Sequence, residues 1–268
     1  MSWGLLVFLA GCGQHGAEGA GRDASRTEAL ALNGALVVHL AEEPDPLSVT
    51  TASVRVSDGS GRVLRALIGI EGHELVTHLV IDASLLRDPP DQVLVSVVGG
   101  VSLVGVCARD GSALPSVSTR FVMRAELEDA PGGALELRAL ARIGADERAA
   151  REIPLPTSGI GSAADGPPDD VVLAGDERLA LRFAGVLDPS LLEAQSVPLF
   201  PVGATGELPP VYPDSRWTVV GTASELVLDL TGLGGSLRFK SRRMTLRSLS
   251  GREVEPRVEF LVRRVPVR

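Results

Sequence analysis

Few side chains in this chain are spaced to do chemistry together. The nearest approach to a metal site is His73-Glu74-Leu75-Val76-Thr77-His78, one residue longer than the H-E-x-x-H spacing that brings two imidazoles to one helix face. A separation of five sets the rings about 140° apart on a helix and on opposite faces of a strand. No shared metal is expected there, and neither a catalytic residue nor a cofactor is assigned. Of the other histidines, His39 falls in a strand pattern as a partly buried structural residue, and His15 lies in a Gly/Ala stretch. The chain has no G-x-S-x-G elbow for a serine nucleophile. Lys240 is its only lysine, so no glycine-rich loop can end in the lysine of a phosphate cradle. Carboxylates in Glu42-Glu43-Pro44-Asp45 and from Asp165 to Asp170 offer oxygen ligands for calcium, but read first as solvated loop charge.

Charge distribution is more informative. The 268 residues carry a net charge of −8, which argues against nucleic acid as a partner. From Arg238 onward, however, ten basic residues face only Glu253, Glu255 and Glu259. Arg238, Lys240, Arg242, Arg243 and Arg247 are therefore the candidate anion-binding residues, with Arg suited to bidentate contacts on phosphate or carboxylate. The competing expectation is that strand alternation scatters them, turning Arg242 and Arg243 to opposite faces. Aromatic residues make up 3% of the chain. Tyr212 and Trp217 are the pair that could form a loop platform for a sugar, although packing in a core is the expected place for Trp217.

The elements that must position these residues read as strands. Val93-Leu94-Val95-Ser96-Val97-Val98 is a β-branched run between Pro89-Pro90-Asp91 and Gly99-Gly100, and Leu226-Val227-Leu228-Asp229-Leu230 alternates before Thr231-Gly232. An internal repeat orders them. Leu36–Leu40 lies over Leu179–Phe183, Asp45-Pro46 over Asp188-Pro189, and Ser53-Val54 over Ser196-Val197. Later in each copy Asp110-Gly111 meets Ser250-Gly251, and Phe121 meets Phe260. Both Asp-Pro steps should form capped turns crossing between sheets, because Asp accepts from free backbone N–H groups and Pro suits the first helical position. The stretch Ala134–Ile143 has the Ala, Glu, Leu and Arg content a helix favours but alternates at Leu135, Leu137 and Ile143, so it is expected as a strand extending the first copy, with a Pro/Gly/Ser linker after it. The expected organisation is 1–11 and 12–26 as leader and tether, 27–150 and 168–268 as modules, and 151–167 as linker.

Two resemblances add to this reading. Leu9-Ala10-Gly11-Cys12, behind the apolar run Gly4–Phe8, resembles the lipobox of bacterial lipoproteins. That implies a signal peptide, lipidation of Cys12 and a membrane as partner. Gly13 after the cysteine implies the outer membrane of the cell envelope. With Cys12 lipidated, Cys107 would have no disulfide partner. The repeated pattern of apolar strand, Asp-Pro turn, Ser-Val strand and late Gly loop, over 27–124 and 168–264, resembles bacterial Ig-like domains. This implies an all-β chain of two tandem immunoglobulin-like antiparallel sandwiches, without shared catalytic residues. The function so implied is a non-catalytic envelope spacer, adhesive or scaffolding module. The alternative is an accessory protein that binds anionic envelope glycan, another polysaccharide or an envelope protein.

Overall fold

The computed structural model describes residues 29–101, 105–144, 150–153, 155, 170–192 and 195–265. Cys12, the 12–26 tether and most of the 151–167 linker lie outside the described residues. The chain is nearly all β, in several sheets of sandwich character, and divides into two compact units. One comprises residues 29–80 and 88–127, the other 81–87 and 128–265.

The first unit holds β1 (Leu30–Ala31), β2 (Leu36–His39), β3 (Val54–Asp58), β4 (Ala66–Glu71), β5 (Glu74–Leu79), β6 (Gln92–Val97) and β7 (Val117–Arg124). They form a sheet ordered β1-β7-β6-β3 and a second ordered β2-β5-β4, with β1 parallel to β7. Alternation in the sequence decides which face is inward. Val93, Val95 and Val97 of β6 are buried, as are Leu75, Thr77 and Leu79 of β5.

The second unit begins with a helical turn, α1 (Ala83–Arg87), whose start is capped by Asp82 accepting from Ser84 and Leu85 N–H. Its strands are β8 (Leu135–Ile143), β9 (Ala150–Ile153), β10 (Asp170–Ala174), β11 (Arg178–Ala184), β12 (Leu199–Gly203), β13 (Gly206–Glu207), β14 (Asp214–Val220), β15 (Ala223–Asp229), β16 (Ser236–Lys240), β17 (Val254–Glu255) and β18 (Glu259–Val265). One sheet runs β10-β18-β16-β12-β13, with β10 parallel to β18; the other runs β14-β15-β11-β8-β17, with β9 paired to β8. Without β8, β9, β13 and β17, what remains is the strand order of the first unit.

The duplication holds residue by residue. From Leu30 and Leu173 to Ser53 and Ser196 the copies stay in one register, and the ladders carry it across each sheet. Leu30 pairs with Met123 as Leu173 pairs with Arg264, and Val56 pairs with Val95 as Leu199 pairs with Phe239. Both Asp-Pro turns form as expected. Asp45 Oδ1 accepts from Leu47 N–H at 3.0 Å and Asp188 Oδ1 from Ser190 N–H at 2.9 Å, each opening a single 3₁₀ turn. Ser53 Oγ and Ser196 Oγ then each donate to the last carbonyl of that turn, at 2.7 Å.

Three expectations need correction. Leu135–Ile143 is a strand, but it pairs antiparallel with β11 over seven positions and so extends the second unit, not the first. The reason lies in its alternation: Leu135, Leu137 and Leu140 all enter the second unit's core. The division between units therefore falls near residue 127, not in 151–167. Phe121 and Phe260 align in sequence, yet the ladders pair Val95 with Thr119 and Phe239 with Phe260. Thr119 is thus the counterpart of Phe260, and Phe121, two residues on, is only half-buried. Finally, His39 is exposed, with Nδ1 at 3.1 Å from Glu74 Oε1.

The second core is dominated by Phe183, Phe239 and Phe260 among leucines, and Phe239 stacks on Phe260 with centroids 4.6 Å apart. β8 supplies three of those leucines. Losing a buried leucine side chain costs about 2–5 kcal/mol, so losing three rivals the ~5–15 kcal/mol that keeps a domain folded. The fragment 128–268 should therefore melt cooperatively by circular dichroism, whereas 168–268 should show no transition. Equal melting of the two fragments would show that β8 is dispensable.

Candidate functional site

The basic segment singled out by charge is built on the outer face of β16 and the turn that follows it. Leu237 and Phe239 point into the core, so strand alternation turns Arg238 and Lys240 outward. β13, folded back along β12, brings Glu207 to them, and β18 supplies Glu259 from the other side. Arg238 Nη1 lies 3.1 Å from Glu207 Oε1 and 3.4 Å from Glu259 Oε1. Lys240 Nζ is 2.6 Å from Glu207 Oε1 and sits 5.4 Å from the centroid of the Phe200 ring, packed so closely that little of it meets solvent.

Arg242 Nη2 reaches Glu259 Oε2 at 4.0 Å, and Arg247 Nη2 reaches Glu253 Oε1 at 3.6 Å. Arg242 and Arg243 do not alternate on a strand. Both are exposed on the 3₁₀ turn Ser241–Arg243. The structure thus brings Arg238, Lys240 and Arg242 together, and leaves Arg247 apart beside its own glutamate. The arrangement is a ladder of alternating sign, carboxylate, cations, carboxylate. Glu207 is the one carboxylate this ladder draws from outside the segment, so it compensates the cations locally, at Arg238 and Lys240.

The hydrogen bond from Lys240 holds the Glu207 carboxyl below its ordinary value, with Arg238 adding to the effect. A carboxylate lowered in the folded state contributes stability above its unfolded value and loses it as pH falls through the folded one. The face therefore gains positive charge only in acid. Because Glu207 itself is solvent-exposed, its effect on stability is small.

A second charged feature escaped sequence reasoning. A shallow concavity of about 270 Å³ on β11, β14 and β15 is lined by Arg178, Asp214, Ser215, Arg216, Val227 and Asp229. Its two arginines and two aspartates balance, and side-chain bonding from Thr231 lowers the Asp229 carboxyl further. The signal was present as same-face alternation of Asp214 and Arg216, but without strand register nothing linked them to Arg178.

His73 lies in the β4–β5 hairpin turn and is exposed, while burial lowers the pKa of His78 on β5. Glu43 pairs with Arg109 at 2.8 Å, and Asp45 is committed to its turn. Among the described residues no group of three or more His, Cys, Asp and Glu is placed to hold a metal ion. Tyr212 is exposed, but Trp217 lies on β14 and packs against the core, so the two form no platform. Cys107 carries a buried free thiol. No helix among the described residues is long and apolar enough to cross a membrane.

No known family profile matches this chain, and no curated protein matches it. The Glu207 ladder makes one expectation specific. Glu207→Gln should release Lys240, leave Arg238 to Glu259 alone, and create salt-sensitive binding to anionic vesicles, read by co-sedimentation, that the wild-type chain lacks. Strong vesicle binding by the wild type, unchanged in the variant, would contradict the charge-compensated reading.

Proposed function

We propose that this chain is a lipid-anchored protein of the bacterial cell envelope whose two immunoglobulin-like sandwiches act without catalysis, as a spacer, adhesive or scaffold. The observation that carries the reading is the register-matched duplication of one strand order.

The sequence around Cys12 supports the address. Leu9-Ala10-Gly11 precedes the cysteine as in a lipobox, and the fourteen residues Gly13–Arg26 are rich in glycine and alanine. A flexible tether of that length spans roughly 20 Å root-mean-square. It would hold the first module just off the bilayer. Two or three acyl chains, at about 0.8 kcal/mol per buried methylene, make such an anchor stable.

The test is expression of the full reading frame in a proteobacterial host, followed by membrane fractionation and mass spectrometry of the N-terminal peptide. The expected result is a lipid adduct on Cys12 and recovery with outer membranes, with Cys12→Ala moving the protein to the soluble fraction. Unchanged partition of Cys12→Ala, or an unmodified Cys12 peptide, would overturn the reading.

A further inference from the structure

We propose that β4 is a self-association edge, at which two copies of this chain pair antiparallel about a two-fold axis centred on Ile68. This inference rests on the first unit alone and does not depend on the lipid anchor. β4 ends its sheet, and among the described residues no strand lies beyond it. Its sequence, Ala66-Leu67-Ile68-Gly69-Ile70-Glu71, has no proline or lysine, and Leu67 is 46% exposed. Natural sheets normally blunt such an edge with charge, proline or a covering segment. The second unit does so at the corresponding strand. β14 carries Asp214 and Arg216, and its Val219 exchanges main-chain hydrogen bonds with Ile81 in both directions, at 2.9 and 2.8 Å.

Backbone geometry fixes which groups the edge offers. Val80 N–H donates to Arg65 O at 2.9 Å, so Arg65, Leu67, Gly69 and Glu71 direct their main-chain groups to β5. Ala66, Ile68 and Ile70 then direct theirs outward. An antiparallel partner with Ile68 opposite Ile68 sets Ala66 opposite Ile70, and every outward donor and acceptor finds its complement.

Side chains select the same register. It places Arg65 opposite the partner's Glu71 at both ends of the ladder, two oppositely charged pairs on the exposed face. Between them Leu67 lies opposite the partner's Gly69, where even an added Cβ would only make ordinary contact, with Val76 O at 3.7 Å. Sliding the strands by two residues keeps the backbone parity but separates the charges, setting Leu67 against Leu67 in one direction and against Glu71 in the other. A second copy is therefore the occupant that fits. The contact is short compared with a standard protein interface, so the dimer is weak and concentration-dependent.

The test is sedimentation equilibrium of the full chain in mild detergent, which keeps the N-terminal region from associating. Wild type should show a monomer–dimer equilibrium. Arg65→Glu and Glu71→Arg should each raise its Kd by roughly tenfold, because each sets like charges opposite twice. An equimolar mixture of the two variants should dimerise again, as should the double variant Arg65→Glu/Glu71→Arg. Both substitutions are on exposed positions, and the recovery on mixing reports on folding as well as pairing. Ile68→Pro, which removes an outward donor and spares the bonds to β5, should abolish the dimer. A wild-type chain that stays monomeric up to its solubility limit would overturn the proposal. So would a dimer indifferent to the single reversals, or variants that fail to recover when mixed.

Discussion

In both units the chain must leave one sheet and enter the other, and the crossing is pinned at one backbone hydrogen bond. Asp45 N–H donates to Cys107 O at 2.8 Å, and Asp188 N–H donates to Arg247 O at 2.9 Å. That bond ties the strand exit to a loop about 60 residues later, closing the sandwich at its corner. Around it the Asp side chain caps the turn, and proline holds the first position. In the first unit Ser48 Oγ also accepts from Cys107 N–H at 3.2 Å, which places a buried hydroxyl where the second unit has Leu191. The late loops match as well. Ala108 N–H donates to Ser112 O and Ser248 N–H to Arg252 O, with Gly111 and Gly251 at φ 85° and 82°. Such positive φ values suit glycine, which is why each late loop keeps one.

From this corner the two units diverge in ways their residues explain. The first is a bare sandwich, sealed by valines and leucines. The second accepts β8 beside β11, where Leu140 meets Leu181 and Leu137 meets Phe183 across the ladder. It also adds β13, which carries Glu207 over the basic face. Met123 in the first unit has Arg264 as its counterpart, and Arg264 turns its guanidinium to the carbonyls of Leu230 and Gly175. The shared backbone plan thus tolerates a change from thioether to cation, because main-chain acceptors lie within reach of that position.

Much of the fold was legible because strand signals are local. Alternation at Val93–Val97 and Leu226–Leu228, and the Asp-Pro steps, each state their own structure. The repeat was legible up to Ser53 and Ser196 because no residue is inserted before them. It blurred at the last strand, where lengths between the late loop and β7 or β18 differ. Phe121 aligns with Phe260 in sequence, and only ladder register shows Thr119 to be the counterpart. The partner of Leu135–Ile143 was illegible for a related reason: alternation announces a buried face but not which core buries it. Compensation of Arg238 and Lys240 by Glu207 was hidden because 31 and 33 residues separate them. Only the β12–β13 hairpin brings them together.

Amide hydrogen exchange followed by NMR on the full chain tests whether one corner-pinned sandwich occurs twice in the same register. The amides of Asp45 and Asp188, of Ala108 and Ser248, and of Leu64 and Val211, which donate to Val56 O and Leu199 O, all lie in main-chain bonds of this plan. Both members of each matched pair should be protected, at levels well above those of neighbouring loop amides. Free exchange at Asp188 and Ser248 beside protection at Asp45 and Ala108, or the reverse, would contradict it.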